Sequence, residues 1–177
     1  MRSRRPRPSP RRSSFSRWAE PSDDETAEPS PDPTDEPDPD DVVTFLHVSD
    51  LHCNVGMSPV IRRIAELSGA DAILDTGDLT MNGTAVERFC VTTFAGAAPD
   101  GAPYVLITGN HDSAETAGQA RAAGMTVLDG DVIDVEGVRI LGDGDPNETR
   151  PGIGTQLTSE EDVEAFADRM MRVACDE

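Results

Sequence analysis

Three short polar strings, Asp50-Leu51-His52, Gly77-Asp78-Leu79-Thr80-Met81-Asn82-Gly83 and Gly109-Asn110-His111-Asp112, each follow a short apolar run, with about 25 to 30 residues between one and the next. That spacing holds a strand, a turn and a helix, so the chain can lay its strands parallel and bring their C-terminal ends to one edge. The edge then gathers Asp50, His52, Asp78, Asn110 and His111. Carboxylate, imidazole and amide oxygen are together a donor set for divalent ions such as Mn, Fe or Zn.

The intervening segments fit this alternation. Residues 42–48 form a continuous, β-branched apolar run, the pattern of a strand buried on both faces. Pro59 can open a helix, and Val60, Ile61, Ile64 and Leu67 repeat at helical spacing until Gly69. A second strand is expected at 72–75. A helix over 84–97 would carry Val86, Phe89, Cys90 and Phe94 on one stripe. A third strand follows at 104–108, and Ser113 caps an Ala-rich helix to about residue 123. Residues 126–128 are strand-like, and 132–135 and 138–141 read as a hairpin turning at Glu136-Gly137. A loop rich in Gly, Asp and Pro spans 142–154, and Thr158 or Ser159 caps a last acidic helix.

The N-terminal 41 residues read differently. The first 18 carry seven Arg and no acid, and residues 19–41 carry eleven acids, six Pro and no base. Such a segment has too little apolar surface to offset chain entropy, so 1–41 is expected to be disordered and 42–177 to be the domain. The domain keeps 23 acids against eight Arg, and the chain has no Lys and seven aromatics. Specific nucleic-acid binding is therefore not expected, because an acidic surface repels phosphates and few rings are available to stack on bases. No stretch is long and apolar enough for a transmembrane span. Cys53, Cys90 and Cys175 make an odd number without C-x-x-C spacing, which argues against a disulfide framework and for a cytoplasmic protein. Cys53 is expected to be a packed thiol, and His47 a hydrogen-bonded strand residue rather than a ligand. Asp143-Gly-Asp145-Pro-Asn147 opens like a calcium loop but lacks the Gly and Glu that complete one. Segment 142–147 is instead expected near the substrate.

The order D-x-H, G-D-x-x-x-x-G, G-N-H-D resembles the N-terminal portion of the calcineurin-like metallophosphoesterases over roughly residues 42 to 142. The resemblance implies a partial α/β sandwich, a sheet flanked by helices, with a dinuclear metal centre at the strand ends. It implies that Asp50 and His52 bind one metal, that Asp78 bridges both and that Asn110 binds the second. His111 would protonate the leaving oxygen, and Asp112 would orient its imidazole. The implied reaction is hydrolysis of a small phosphomonoester or phosphodiester by a bridging hydroxide, with Mn, Fe or Zn as the ions.

The family closes its site with a Gly-His and a Gly-x-His that come after these three motifs, and neither exists here, since the chain's three histidines are His47, His52 and His111 and none follows the third motif. The domain is therefore expected to be C-terminally incomplete and the second metal site short of ligands. The competing reading is a catalytically inactive fragment acting as an acidic interaction protein.

Overall fold

The structure, a computed structural model, describes residues 42–158 and 161–176. The expectation of disorder over 1–41 lies outside these residues.

Four strands, β1 (Phe45–Val48), β2 (Ala72–Asp75), β3 (Tyr104–Leu106) and β4 (Thr126–Val127), form a parallel sheet in the order β1-β2-β3-β4. The connections are helical: α1 (Ser58–Ser68), α2 (Arg88–Ala95) and α3 (Ala114–Ala122). Successive side chains of β2 and β3 point to opposite faces, which explains their continuous apolar sequences. Ile73, Tyr104 and Leu106 join Ile61, Ala65, Val91, Phe94 and Ala120 in a core beneath the helices. Ala72 and Val105 pack instead with Leu128 and Val135, against the hairpin of β5 (Val132–Val135) and β6 (Val138–Leu141). The sheet is thus covered by helices on one face and by a hairpin on the other. This is the α/β sandwich expected from the sequence.

Helix ends follow their signals. Pro59 lies in the first turn of α1, and Gly69 closes that helix in the left-handed conformation at φ 63°. Ser113 caps α3 by accepting a hydrogen bond from the Thr116 N–H. Several local expectations differ from the structure. Segment 42–48 narrows to β1, a half-buried edge strand whose His47 is exposed and hydrogen-bonds to the Thr76 hydroxyl at 2.8 Å. Along α1, Ile61 and Ala65 are buried while Val60, Ile64 and Leu67 stay exposed, because the helix presents only one stripe to the sheet.

Residues 84–97 split into a short 3-10 turn (Ala85–Glu87) and α2, which leaves Val86 and Phe89 in solvent and buries Val91 beside Cys90 and Phe94. The supposed loop 142–154 contains β7 (Asn147–Arg150), which pairs antiparallel with β8 (Gly154–Leu157). Neither strand has an apolar alternation, so periodicity could not reveal them. At the start of the last helix, α4 (Val163–Asp176), Asp162 accepts from the Ala165 N–H at 2.9 Å, while the Thr158 hydroxyl donates to the Pro146 carbonyl; Ser159 lies outside the described residues. Among the described residues no helix is long and apolar enough to cross a membrane.

Candidate metal centre

Because β1, β2 and β3 are parallel, the segments leaving their C-terminal ends lie side by side. Two of these segments are zipped together: Asp50, His52 and Cys53 donate their backbone N–H groups to the carbonyls of Gly77, Asp78 and Leu79 at 2.9–3.0 Å. To make this contact Asp50, His52, Cys53 and Asp78 all adopt positive φ, between 42° and 58°. A left-handed residue other than Gly is uncommon and costs on the order of 1–2 kcal/mol, less for Asp. Four of them in two adjoining turns mark a place where side-chain direction outweighs backbone comfort.

That direction brings Asp50, His52 and Asp78 together. Their ligand atoms all lie within 4.8 Å of one another. The His52 Nε2 is 3.9 Å from Asp50 Oδ1 and 3.9 Å from Asp78 Oδ2, too far for a hydrogen bond. The His52 Nδ1 is buried with no hydrogen-bond partner. Two carboxylates facing an imidazole that none of them bonds is an arrangement suited to a divalent cation between them.

The third strand end closes over Asp78. The His111 N–H donates to Asp78 Oδ1 at 2.9 Å, and the backbone of Gly109 lies so close to Asp78 that a Cβ there would collide with its Oδ1 and N. Gly77 meets Gly109 in the same way, its own Cβ position being filled by Gly109 backbone atoms, so both positions require glycine. Asn110 sits between these two contacts. The His111 ring stands edge-on to that of His52, with centroids 4.9 Å apart and planes at 87°. Its Nδ1–H donates to the Met81 carbonyl at 2.8 Å, which fixes the ring through that nitrogen.

Asp112 is not the orienting group for His111. Its buried carboxylate accepts from the N–H groups of Leu79, Thr80 and Gly109 and from the Thr80 hydroxyl, and so ties the second and third motifs to each other. The Met81 carbonyl that takes its place is held by Glu87. That carboxylate accepts from the N–H groups of Met81, Asn82 and Thr84 and from the Thr84 hydroxyl. Burial opposes its charge, but these donors prevail and hold the Glu87 carboxyl below the ordinary range. Thr84-x-x-Glu87 is a capping-box pattern, the one sign in the sequence that could have found it. Cys53 is not a packed thiol: it forms a disulfide with Cys90 of α2, and Cys175 remains free and exposed. The disulfide corrects the expectation against one and removes the ground on which a cytoplasmic location rested. In the segment resembling a calcium loop, Asp143 pairs with Arg169 at 2.8 Å and Asp145 accepts from the Asn147 N–H, so both carboxylates are engaged.

Asp75 ends β2 beneath the centre, accepting from the Tyr104 hydroxyl at 2.7 Å and from the Gly77 N–H at 3.0 Å. Burial, with the charges of Asp112 and Asp50 adding to it, pushes its carboxyl up to about 7 against those two hydrogen bonds. Between the ordinary value of 3.8 and about 7 the folded chain keeps a proton that the unfolded chain has released. Stability of the metal-free protein should therefore fall as pH rises through that window and level off above it, a loss on the order of a few kcal/mol. Asp75→Asn should flatten this slope, with a melting temperature above the parent's at about pH 8 and similar to it near pH 4. Thermal unfolding in chelator would check this, and a slope that persists in the variant would refute it.

Residues 43–162 match the family model described as calcineurin-like phosphoesterase, more than half of the chain. No curated protein matches the sequence with significance.

Proposed function

Because the chain belongs to the calcineurin-like phosphoesterase family, we propose that Asp50, His52, Asp78 and Asn110 hold two divalent ions at the strand ends and that the site hydrolyses phosphomonoesters or phosphodiesters. The family and the clustered Asp50, His52 and Asp78 support a metal-dependent phosphoesterase in general terms. The finer reading rests on one observation: two zipped, left-handed turns aim these three side chains at a common point. When bound, the ions would supply Lewis acidity, generating a nucleophile from water near neutral pH and neutralising phosphoryl charge.

The chain's own residues do the rest. Asp78 would be the residue shared between the ions, since one of its oxygens faces His52 and the other is fixed by the His111 N–H beside Asn110. His111, with Nδ1–H committed to Met81, would serve as the acid in its imidazolium form, passing its Nε2 proton to the leaving oxygen and keeping the one on Nδ1. Asp112 contributes by holding two of the motifs in register. His47 is turned to Thr76, so Asp78 and Asn110 alone among the proposed ligands would serve the second ion. Tight binding of one ion, weaker binding of the next and low turnover by this chain alone are the expected behaviour.

Calorimetric titration with Mn(II), paired with hydrolysis of p-nitrophenyl phosphate and bis-p-nitrophenyl phosphate, tests the reading. The expected result is saturable Mn(II) binding with slow, metal-dependent hydrolysis. Absence of Mn(II), Fe(II) and Zn(II) binding would overturn it, and would favour a chain that keeps the fold without the chemistry.

A further inference from the structure

Strand β7 runs along the loop that carries Asn110. The Thr149 N–H donates to the Asn110 carbonyl at 2.7 Å, and the Asn110 side-chain amide donates from Nδ2 to Thr149 Oγ1 at 2.5 Å. That hydroxyl is itself held by Thr155 of β8 at 2.8 Å. Next to it, Arg150 spreads one guanidinium across three consecutive carbonyls. Nη1 donates to Asn110 at 3.3 Å and to His111 at 3.2 Å, and Nη2 donates to Asp112 at 2.7 Å. Nη1 also donates to the Thr149 carbonyl, and Nη2 pairs with Glu148 at 3.3 Å. The Arg150 side chain is only 18 % exposed, so these contacts are shielded from competing water.

The three carbonyls precede α3 and belong to no strand, so one planar fork supplies donors to those of His111 and Asp112 and a second donor to that of Asn110, which already accepts from the Thr149 N–H. An asparagine that ligates a hard cation must present its carbonyl oxygen and turn its NH2 away. Thr149 takes the NH2. The oxygen is then the free end of the side chain, on a residue whose neighbours both press on Asp78.

We propose that Thr149 and Arg150 are positioning residues of the metal centre: Thr149 orients the Asn110 amide so that Oδ1 is the metal-facing atom, and Arg150 fixes the backbone of residues 110–112 that carries it. This rests on the reading of Asn110 as a ligand. Neither residue belongs to the three motifs, and neither would touch metal or substrate.

The test uses Mn(II) titration and the visible absorption of the Co(II)-loaded full chain, with Asn110→Ala as reference. Thr149→Val keeps the side-chain shape and removes the hydroxyl. It should weaken the Asn110-dependent binding event about 10- to 100-fold and alter the Co(II) bands, while Thr149→Ser restores both. Arg150→Lys keeps the charge but cannot span three carbonyls, and should weaken the same event about tenfold. If Asn110→Ala loses that event while Thr149→Val and Arg150→Lys bind as the parent does, the proposal is overturned and the ligand assignment stands. If Asn110→Ala itself changes nothing, the ligand assignment fails and the proposal fails with it. Loss in Thr149→Val that Thr149→Ser does not restore would also overturn it, since a general packing defect would then be the cause.

Discussion

Asp78→Asn should remove metal binding and, with it, whatever hydrolysis the chain supports. The substitution is nearly isosteric, and Asn tolerates the left-handed backbone at φ 58° that this position adopts. The variant is therefore expected to fold, so the effect reports on charge. In the parent, one carboxylate oxygen accepts from the His111 N–H and the other faces His52 at 3.9 Å. In the variant the amide oxygen would keep the first contact, which turns an N–H2 donor into the space a cation would occupy. Metal affinity should drop by at least about 100-fold, as the loss of a charged ligand should exceed the usual cost of an outer partner. Rate should drop by about a thousandfold or more, since on the proposed reading the ions would supply several kcal/mol of transition-state stabilisation. His111→Asn is the informative contrast: metal affinity near the parent's, with rate down about 10²- to 10⁴-fold. Titration and turnover on the same preparations check both. Equal activity in Asp78→Asn would indicate a contaminating phosphatase.

Reduction of the Cys53–Cys90 disulfide should lower stability by about 4 kcal/mol, since the bond closes a loop with a sequence separation of 37. For a domain of this size that is a fall in melting temperature of roughly 10 °C or more. Cys90→Ser should behave alike. The bond ties the turn carrying Asp50 and His52 to α2, so metal affinity is expected to weaken as that turn gains freedom. Thiol titration gives the simplest check: one reactive thiol, Cys175, before reduction and three after it. Three free thiols in the untreated protein, or a melting temperature indifferent to a dithiol reductant, would contradict the disulfide.

Much of the architecture was legible along the chain, because it depends on local pattern. A short apolar run followed by a polar turn and a capped helix, three times over, leads to a parallel sheet, and a parallel sheet must place its loops at one edge. Asp50, His52 and Asp78 therefore converge on the strength of their positions after β1 and β2, and the hairpin at Glu136-Gly137 follows from its alternation and turn. What the sequence left open depends on partners far apart in the chain. Nothing in the spacing of Cys53 and Cys90 distinguishes two packed thiols from a bond; only the approach of the first turn to α2 does. Asp112 is adjacent to His111 in sequence, yet its carboxylate turns toward the backbone of Leu79 and Thr80, and a main-chain carbonyl, Met81, takes the imidazole. Backbone acceptors are the same at every residue, so composition cannot say which one will be used. Strands β7 and β8 pair through Thr149 with Thr155 and Glu148 with Gln156, polar contacts without an apolar period. Sequence pattern thus determined which elements form and where their ends meet, since periodicity is a property of neighbours. The tertiary structure alone decided which groups hold Asn110 and His111 in place, since those hydrogen bonds join residues about 30 to 40 positions apart.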